Sequence, residues 1–545
     1  MSGLAGTGAL VRLALRTDRV RSVVWILALA AQAVSQASGI FAQYPTQADL
    51  ERLERVVGTV GTNPAIVALT GPVFEPGTYG GLTAWQVMTF QTALIGLMSI
   101  LLVVRHTRAE EEAGRADLLH AGAVGRYALP ASALVYVLLV NAVLAALTVL
   151  GFVAYGLPLA GSVATALGCG LGGIAFGAVA VLAAQLTDHA RTATGIAGAL
   201  LGLAFLLRAI GDSAANAAGG AWLSWLTWAS PIGWAEQLRP YAGERWWTLA
   251  LPLALALGLL VAAGALIGRR DVGAGVLSQQ PGEAAAPPWL RSPLALAWRL
   301  QRGGLLGWTL ALAVTGASFG GIAKDMEAFA RGDPKISETF AQFTGSTGSV
   351  VDLYLAAIFG WIGAVVAIYA VQATLRLRSE ETGNRAEPVL AGAVSRIRWA
   401  GSHVLFAFAG SVAVLAAAGL AAGLAHGLRT GDLATDLPRV LAAALAQVPA
   451  VWLIAAVALA LFGLAPRATV PVAWGVLAVA VFISTFGGLL NLGQAVLDLS
   501  PFTHLPKLPG ADAQAAPFAW LLAVGAVLTA TGLAGFRRRD LSPAS

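Results

Sequence analysis

The chain has a single cysteine, three lysines and few charges of any kind. Cys169 stands alone in an apolar run, so no intrachain disulfide is possible, and no CxxC or Cys/His spacing is present to hold a metal. Only 11% of the 545 residues are charged, where a soluble protein carries about a quarter. That deficit excludes an ordinary soluble domain. No G-x-x-x-x-G-K-S/T occurs, so the chain has no phosphate-cradling P-loop of its own. Gly168, Gly170 and Gly173 do match G-x-G-x-x-G, but inside an apolar run where Gly168 and Gly172 also form GxxxG. Close helix packing is the reading that fits such a place. The six histidines (106, 120, 189, 403, 426 and 504) are scattered. That speaks against the clustered metal or acid–base centre of a membrane-embedded enzyme.

What the sequence does have is apolar length. It is 57% hydrophobic with mean hydropathy +0.74, and about 20 apolar residues suffice to cross a bilayer as a helix. Twelve spans are expected, near 21–42, 82–104, 128–155, 161–186, 192–210, 246–268, 304–322, 350–375, 399–425, 439–464, 467–490 and 514–536. The net charge of +6 then reflects arginines on cytoplasmic loops, not affinity for nucleic acid. Arg105, Arg108, Arg115, Arg126, Arg269, Arg376, Arg378, Arg396 and Arg537 to Arg539 all fall on one side with the N-terminus. The expected location is a bacterial cytoplasmic membrane, multi-pass, with both termini inside. Arg12, Arg16, Arg19 and Arg21 before VVWILALAAQAV imitate a signal peptide, but the same opening recurs after residue 290, where none belongs.

The scarce charges are not scattered. Residues 108–126 read RAEEEAGRADLLHAGAVGR, between two apolar runs, and residues 378–396 read RSEETGNRAEPVLAGAVSR. Ten of the nineteen positions match at a constant offset of 270, among them Arg108/Arg378, Glu110/Glu380, Glu111/Glu381, Arg115/Arg385, Val124/Val394 and Arg126/Arg396. Ser230-Pro231 matches Ser500-Pro501 at the same offset, and Arg16, Arg19 and Trp25 match Arg299, Arg302 and Trp308 at 283. The expected fold is therefore an all-α polytopic membrane protein whose twelve transmembrane helices form two parallel six-helix repeats. The first unit is read as 1–270, a Gly/Ala/Pro-rich cytoplasmic linker as 271–292, and the second unit as 293–545. Each unit opens with an amphipathic stretch, 9–19 and 293–302, suited to the headgroup plane.

Each island is read as an acidic turn followed by a helix of about two turns. Asp117 suits a helix N-cap, and Pro388 after Glu387 suits the first helical position. Leu118, Leu119 and Val124, with Val389, Leu390 and Val394, would give that helix an exposed apolar knob for docking into a groove.

The pattern E-E-x-G-R-x-D-x-L at 111–119, with its partner from Glu380, resembles the first intracellular loop of ABC-2-type permeases. Length and the fused double unit look most like actinobacterial polyketide-antibiotic or multidrug exporter permeases. The resemblance implies a transport subunit and no enzyme, with a fold like that of type V exporters. It implies an exporter of hydrophobic or amphipathic compounds, driven by two copies of a separate ATP-binding-cassette ATPase seated on the two coupling helices. ATP and Mg would be bound in that partner, and this chain would bind no cofactor. Other partners would be membrane lipid and the hydrophobic substrate, with no nucleic acid. In the second copy Asn384 is read as an extra residue that puts Gly383 out of register with Gly114, and Thr382 stands for Glu112. The docking sites are thus expected to be unequal.

Pathway candidates are Phe90, Gln91, Phe205, Arg208, Phe359 and Phe486, on spans that line the pathway in the resembling family. Arg208 is equally explained by an i,i+4 pair with Asp212. The six tryptophans of 221–247 read as an interfacial anchor. The alternative is an ion-gradient-driven secondary transporter with a six-plus-six repeat, which should hold carboxylates or histidines at mid-span. Almost none are found there.

Overall fold

In the computed structural model, the residues described are 3–60, 64–116, 122, 124–216, 221–269, 275–276, 285–326, 349–486, 493–511 and 513–541. Among them every regular element is helical. Among the described residues eleven helices are long and apolar enough to cross a membrane, and Thr469–Thr485 is a shorter apolar one. The chain divides into two compact units, Met1–Pro281 and Gly282–Ser545.

Unit 1 begins with α1 (Thr7–Thr17) and α2 (Arg19–Gln43). α1 buries Leu10, Val11 and Ala14 and leaves Arg12 and Arg16 outside. The break between the two helices falls at Asp18, whose carboxylate accepts from Arg105 Nε at 2.8 and 2.9 Å and lies 2.9 Å from His106 Nε2. The second unit differs. Its opening stretch, read from sequence as a separate interfacial helix, continues unbroken into the first span as α12 (Pro293–Ala323). Gln301 stands at the Asp18 position and bonds His403 at 3.1 Å within the helical run. Without a buried carboxylate to be met by arginine, nothing interrupts the backbone.

The remainder of unit 1 comprises α3 (Gln47–Val60), α4 (Pro64–Thr70), α5 (Tyr79–Arg105), α6 (Arg108–Glu112), α7 (Ala128–Ala154), α8 (Leu159–Leu186), α9 (Ala190–Asn216), a 3-10 segment Ala221–Ala229, α10 (Pro231–Gln237), a second 3-10 turn and α11 (Ala250–Ile267). α5 and α8 form its centre. They approach closely because α8 offers glycine: a methyl on Gly172 would meet Thr92 Cγ2 at 2.6 Å, and one on Gly173 would meet Ile95 Cγ2 at 2.3 Å. Gly168 faces Met88 and Leu238 in the same seam, so these glycines pack helices as small residues do in bilayers.

Unit 2 contains α12, α13 (Val350–Thr382), α14 (Ala386–Leu390), α15 (Arg396–Thr430), α16 (Leu433–Leu445), α17 (Val448–Leu464), α18 (Thr469–Phe486), α19 (Gln494–Leu497) and α20 (Ala515–Arg538). Serine starts three of these helices: Ser292, Ser349 and Ser395 accept from the backbone of Ala295, Asp352 and Arg398. Gly431, at φ 85°, ends α15 in the left-handed region that glycine occupies without strain.

Candidate functional site

The two islands hold the same ion pairs. In unit 1, Arg108 pairs with Glu111 at 2.5 Å and Arg115 with Glu110 at 2.6 Å. In unit 2, Arg378 pairs with Glu381 at 3.0 Å and Arg385 with Glu380 at 2.9 Å. The first pair is an i,i+3 contact along the helix end. The second folds back across a tight turn, and that turn explains the spacing. Gly114 has φ 70° and Asn384 has φ 55°. Both occupy the left-handed region, which asparagine tolerates better than most residues. Asn384 is therefore not an extra residue. It stands where Gly114 stands, and Gly383 corresponds to Ala113.

Each island is also tied to its own unit, by different means. Glu112 accepts from the Ala190 backbone N–H at 2.8 Å, anchoring island 1 to the start of α9. Val124 packs with Leu10, Ala116, Ala128 and Leu129, which fixes α1 against the same island. Thr382, at the Glu112 position, instead donates its hydroxyl to Arg378 O within α13. Island 2 is held by Arg539, which donates to both Glu381 oxygens at 2.6 and 2.9 Å and stacks over Phe462 and Phe536. Arg396 donates to the Phe536 and Arg539 carbonyls. Arg126 is exposed.

The expected apolar knob turns the other way. α14 is five residues long, not two turns, and Val389, Leu390 and Val394 pack on the cluster around Trp399, Phe462 and Phe536. What remains outward is Glu387, Pro388, Ala391, Gly392 and Ala393. Burial of the larger side chains is the cheaper arrangement in water at the end of a helix bundle. Asp117, Leu118 and Leu119 lie outside the described residues.

Beside island 1, burial alone would raise the pKa of Asp18, but Arg105, His106 and Arg21 more than offset it and hold the carboxyl below its ordinary value. Its contribution to stability is thus complete above the usual carboxylate range. It is lost only as pH falls through the depressed value.

At the opposite ends of the unit 1 spans sits a second charged group. Arg208 has no exposed surface, and its partners converge from three helices, α4, α9 and α10. It lies 3.6 Å from Asp212 on its own helix and 3.6 Å from Glu236 on α10. It donates to the carbonyls of Val67 at 3.2 Å and Ala68 at 2.8 Å, at the C-terminal turn of α4. Val67 O also accepts from Gly71 N at 2.9 Å, and these carbonyls lie at the negative end of the helix. Thr227 donates to Asp212 at 2.6 Å, and Thr89 of α5 donates to Glu236. Gly71 follows α4 with φ 82°, and a methyl there would meet Glu236 Oε1 at 2.7 Å. The i,i+4 pair read from sequence is present. It is one edge of a larger buried cluster, and Glu236, far off in sequence, gave no signal of joining it.

Of the other pathway candidates, Phe205 is brought under Arg208, whose guanidinium lies 4.6 Å from its ring centre. Phe90 is 39% exposed and tilts against Phe205, with centroids 6.2 Å apart. Gln91 is buried and donates to Leu29 O at 3.1 Å. Phe359 is fully buried in unit 2. The side chain of Phe486 lies outside the described structure. Of the tryptophans in 221–247, Trp222, Trp225, Trp228, Trp246 and Trp247 are exposed, as interfacial anchors are.

Residues 290–537 match the family described as the C-terminal domain of the multidrug efflux system permease Rv1217c. Over 541 residues the sequence is 44% identical to the multidrug efflux system permease protein Rv1217c of Mycobacterium tuberculosis, covering 99% of this chain and 96% of that protein. The match therefore runs through both units and both islands.

Proposed function

Because the chain belongs to the family of the multidrug efflux system permease Rv1217c, and is a multi-pass membrane protein, we propose that it is the membrane subunit of an ABC exporter. In this reading it moves hydrophobic or amphipathic compounds outward. Two copies of a separate ATP-binding-cassette ATPase bind ATP and Mg and seat on the two islands. α18 completes twelve spans, six in each of two parallel repeats (1–270 and 293–545, joined by 271–292), with the islands and both termini cytoplasmic.

One observation carries the proposal: the same two ion pairs around the same left-handed turn, at corresponding places in both units. Such a frame presents a short rigid ledge beyond the membrane helices, and a pair of ledges suits a pair of identical partners. ATP-driven closure of the partners would pull on both ledges, and each would pass the motion to its unit through its own anchors. That coupling requires the partner to bind two states of the permease with different affinity.

The test is co-expression with ATP-binding-cassette subunits from the same genome and purification through a tag on this chain. The double variant Asp117→Arg/Glu387→Arg reverses charge at corresponding sequence positions of the two islands, exposed Glu387 in the second, and leaves the residues of the ion pairs unchanged. We expect wild type to retain two ATPases that hydrolyse ATP, and the variant to lose them while its thermal unfolding midpoint is unchanged. Wild type that retains no ATPase with any candidate removes the proposal.

A second reading, ion-gradient-driven transport, draws on the Arg208–Asp212–Glu236 cluster, since buried ionisable groups mark ion pathways in membranes. Function in vesicles under a proton gradient without any ATPase would decide for it.

A further inference from the structure

A cavity of unit 1 lies at the ends of the spans opposite island 1. It has a volume of about 490 Å³, within the range of roughly 300–1,000 Å³ typical of small-molecule sites. Its wall is aromatic. Phe41 stacks face to face on Tyr79, with centroids 4.1 Å apart and planes 8° apart, and Tyr155 continues the stack from Phe41 at 6.0 Å. The Tyr79 hydroxyl is committed to Tyr44 O at 2.6 Å, so the ring is held in place.

Tyr241 forms the facing wall, and it is held at some cost. Its φ is 61°, in the left-handed region that a bulky residue rarely adopts. Its ring lies against two glycines: a methyl on Gly80 would meet it at 2.6 Å and one on Gly161 at 2.1 Å. Its hydroxyl bonds Ser162 Oγ at 2.9 Å. Strained conformations of this kind persist where the surroundings fix them, and they cluster at ligand sites. The same loop follows α10, which the buried Arg208 cluster anchors through Glu236.

Glu244 is the one charged residue of the cavity lining, and its Oε1 accepts the Tyr241 backbone N–H at 3.1 Å. The Glu54 carboxylate lies against Gly77, another lining residue, where a methyl would meet it at 2.7 Å. Arg239 is turned away onto Phe74, 4.5 Å from its ring. Arg52 and Arg55 are on the exposed face of α3. Aromatic faces attract cations through their quadrupole, and a nearby carboxylate adds to that attraction.

We propose that this cavity between Phe41, Tyr79, Tyr241 and Glu244 binds lipophilic organic cations. The inference rests on the reading of the chain as an exporter of amphipathic compounds, and it narrows their class to those with a delocalised or shielded positive charge. An anion of the same shape would face Glu244 and the negative faces of the rings.

The test uses the purified full chain in nanodiscs, without ATPase, and two probes of matched shape and opposite charge: tetraphenylphosphonium and tetraphenylborate. Saturable binding is measured against empty discs. We expect wild type to bind tetraphenylphosphonium and to bind tetraphenylborate at least tenfold more weakly. Glu244→Gln, which keeps the acceptor for Tyr241 N–H, should weaken the cation about tenfold and leave the anion unchanged or improved. Phe41→Leu should weaken the cation severalfold. Thermal unfolding checks that both variants fold. Absence of saturable binding, equal affinity for the two probes, or a Glu244→Gln variant that binds the cation like wild type would each overturn the proposal. Because no ATPase is present, these outcomes are independent of whether the islands dock one.

Discussion

The two units agree at one end and part at the other. At the islands, Arg108, Glu110, Glu111 and Arg115 find in Arg378, Glu380, Glu381 and Arg385 the same pairs in the same geometry. At the far ends, the positions that correspond to Thr89, Arg208, Asp212 and Glu236 at the 270 offset are Phe359, Ala478, Phe482 and Pro506. No element of the buried cluster recurs. After Ser230-Pro231 a helix forms and carries Glu236, whereas after Ser500-Pro501 the chain runs through turns. Even the serine changes its work: Ser230 caps α10, while Ser500 donates to Ala480 O at 2.9 Å. Two halves of one chain that keep a charged frame twice are answering one demand, which fits identical partners. Two halves that differ where the Arg208 cluster and the cavity lie are not meeting the same ligand there.

The comparison breaks hardest at Arg208. Arg208→Met would leave Asp212 and Glu236 buried without their cation, and removing one partner of a buried ion group costs about 3–5 kcal/mol. The triple variant Arg208→Met/Asp212→Leu/Glu236→Leu removes every charge and should recover much of that loss, since replacing a whole buried ion group with apolar residues is often neutral. Denaturation of purified protein in detergent would compare the two. If the single variant is as stable as wild type, the cluster does not hold α4 and α10 in place, and the asymmetry between the units has no energetic weight.

Much of the island end was legible because both its signals are local. Pairs three and five residues apart, repeated at a fixed offset, can be read from the letters alone. The direction in which Val389 and Leu390 point could not, since it depends on Phe462 and Phe536, which come from helices far along the chain. The buried cluster was half legible. Asp212 lies one helical turn from Arg208, but Glu236 and the carbonyls of Val67 and Ala68 reach it only through the fold. The cavity gave still less warning, because its best mark, the left-handed Tyr241 against Gly80 and Gly161, is a matter of backbone geometry and packing.

The lead-in helices sharpen the comparison at intermediate scale. Asp18 divides α1 from α2, and Gln301 at the matching place does not divide α12. Asp18→Gln gives unit 1 the residue of unit 2. It replaces the carboxylate that Arg105 and His106 share with a neutral amide of one acceptor oxygen, and Arg105, 44% exposed, can turn to water. A loss of about 1–3 kcal/mol follows from the lost acceptor. Hydrogen exchange should show faster opening of α1 near residue 18 in the variant, with α12 unaffected. Unchanged exchange there would mean that the break is set by something other than the Asp18 carboxylate.

The smallest effects test the equivalence of the two turns. If Gly114 and Asn384 hold the same left-handed position, the exchanges Gly114→Asn and Asn384→Gly should each shift stability by less than about 0.5 kcal/mol, since both residue types accept that conformation. Gly114→Val and Asn384→Val should each cost about 1–2 kcal/mol, the penalty of a left-handed residue with a Cβ and branching. The four variants form a direct control on register. Were Asn384 an insertion instead, valine there would be tolerated as in any exposed loop, and Gly383→Val would carry the cost. The structure assigns the cost to position 384 because Arg385 must fold back from it to reach Glu380, as Arg115 does from Gly114 to reach Glu110. A valine at 384 that opened the turn would break that pair and strain the backbone, whereas a side chain at 383 would meet only the mobile Arg385 guanidinium, at 2.6 Å, so loss at 384 should exceed loss at 383.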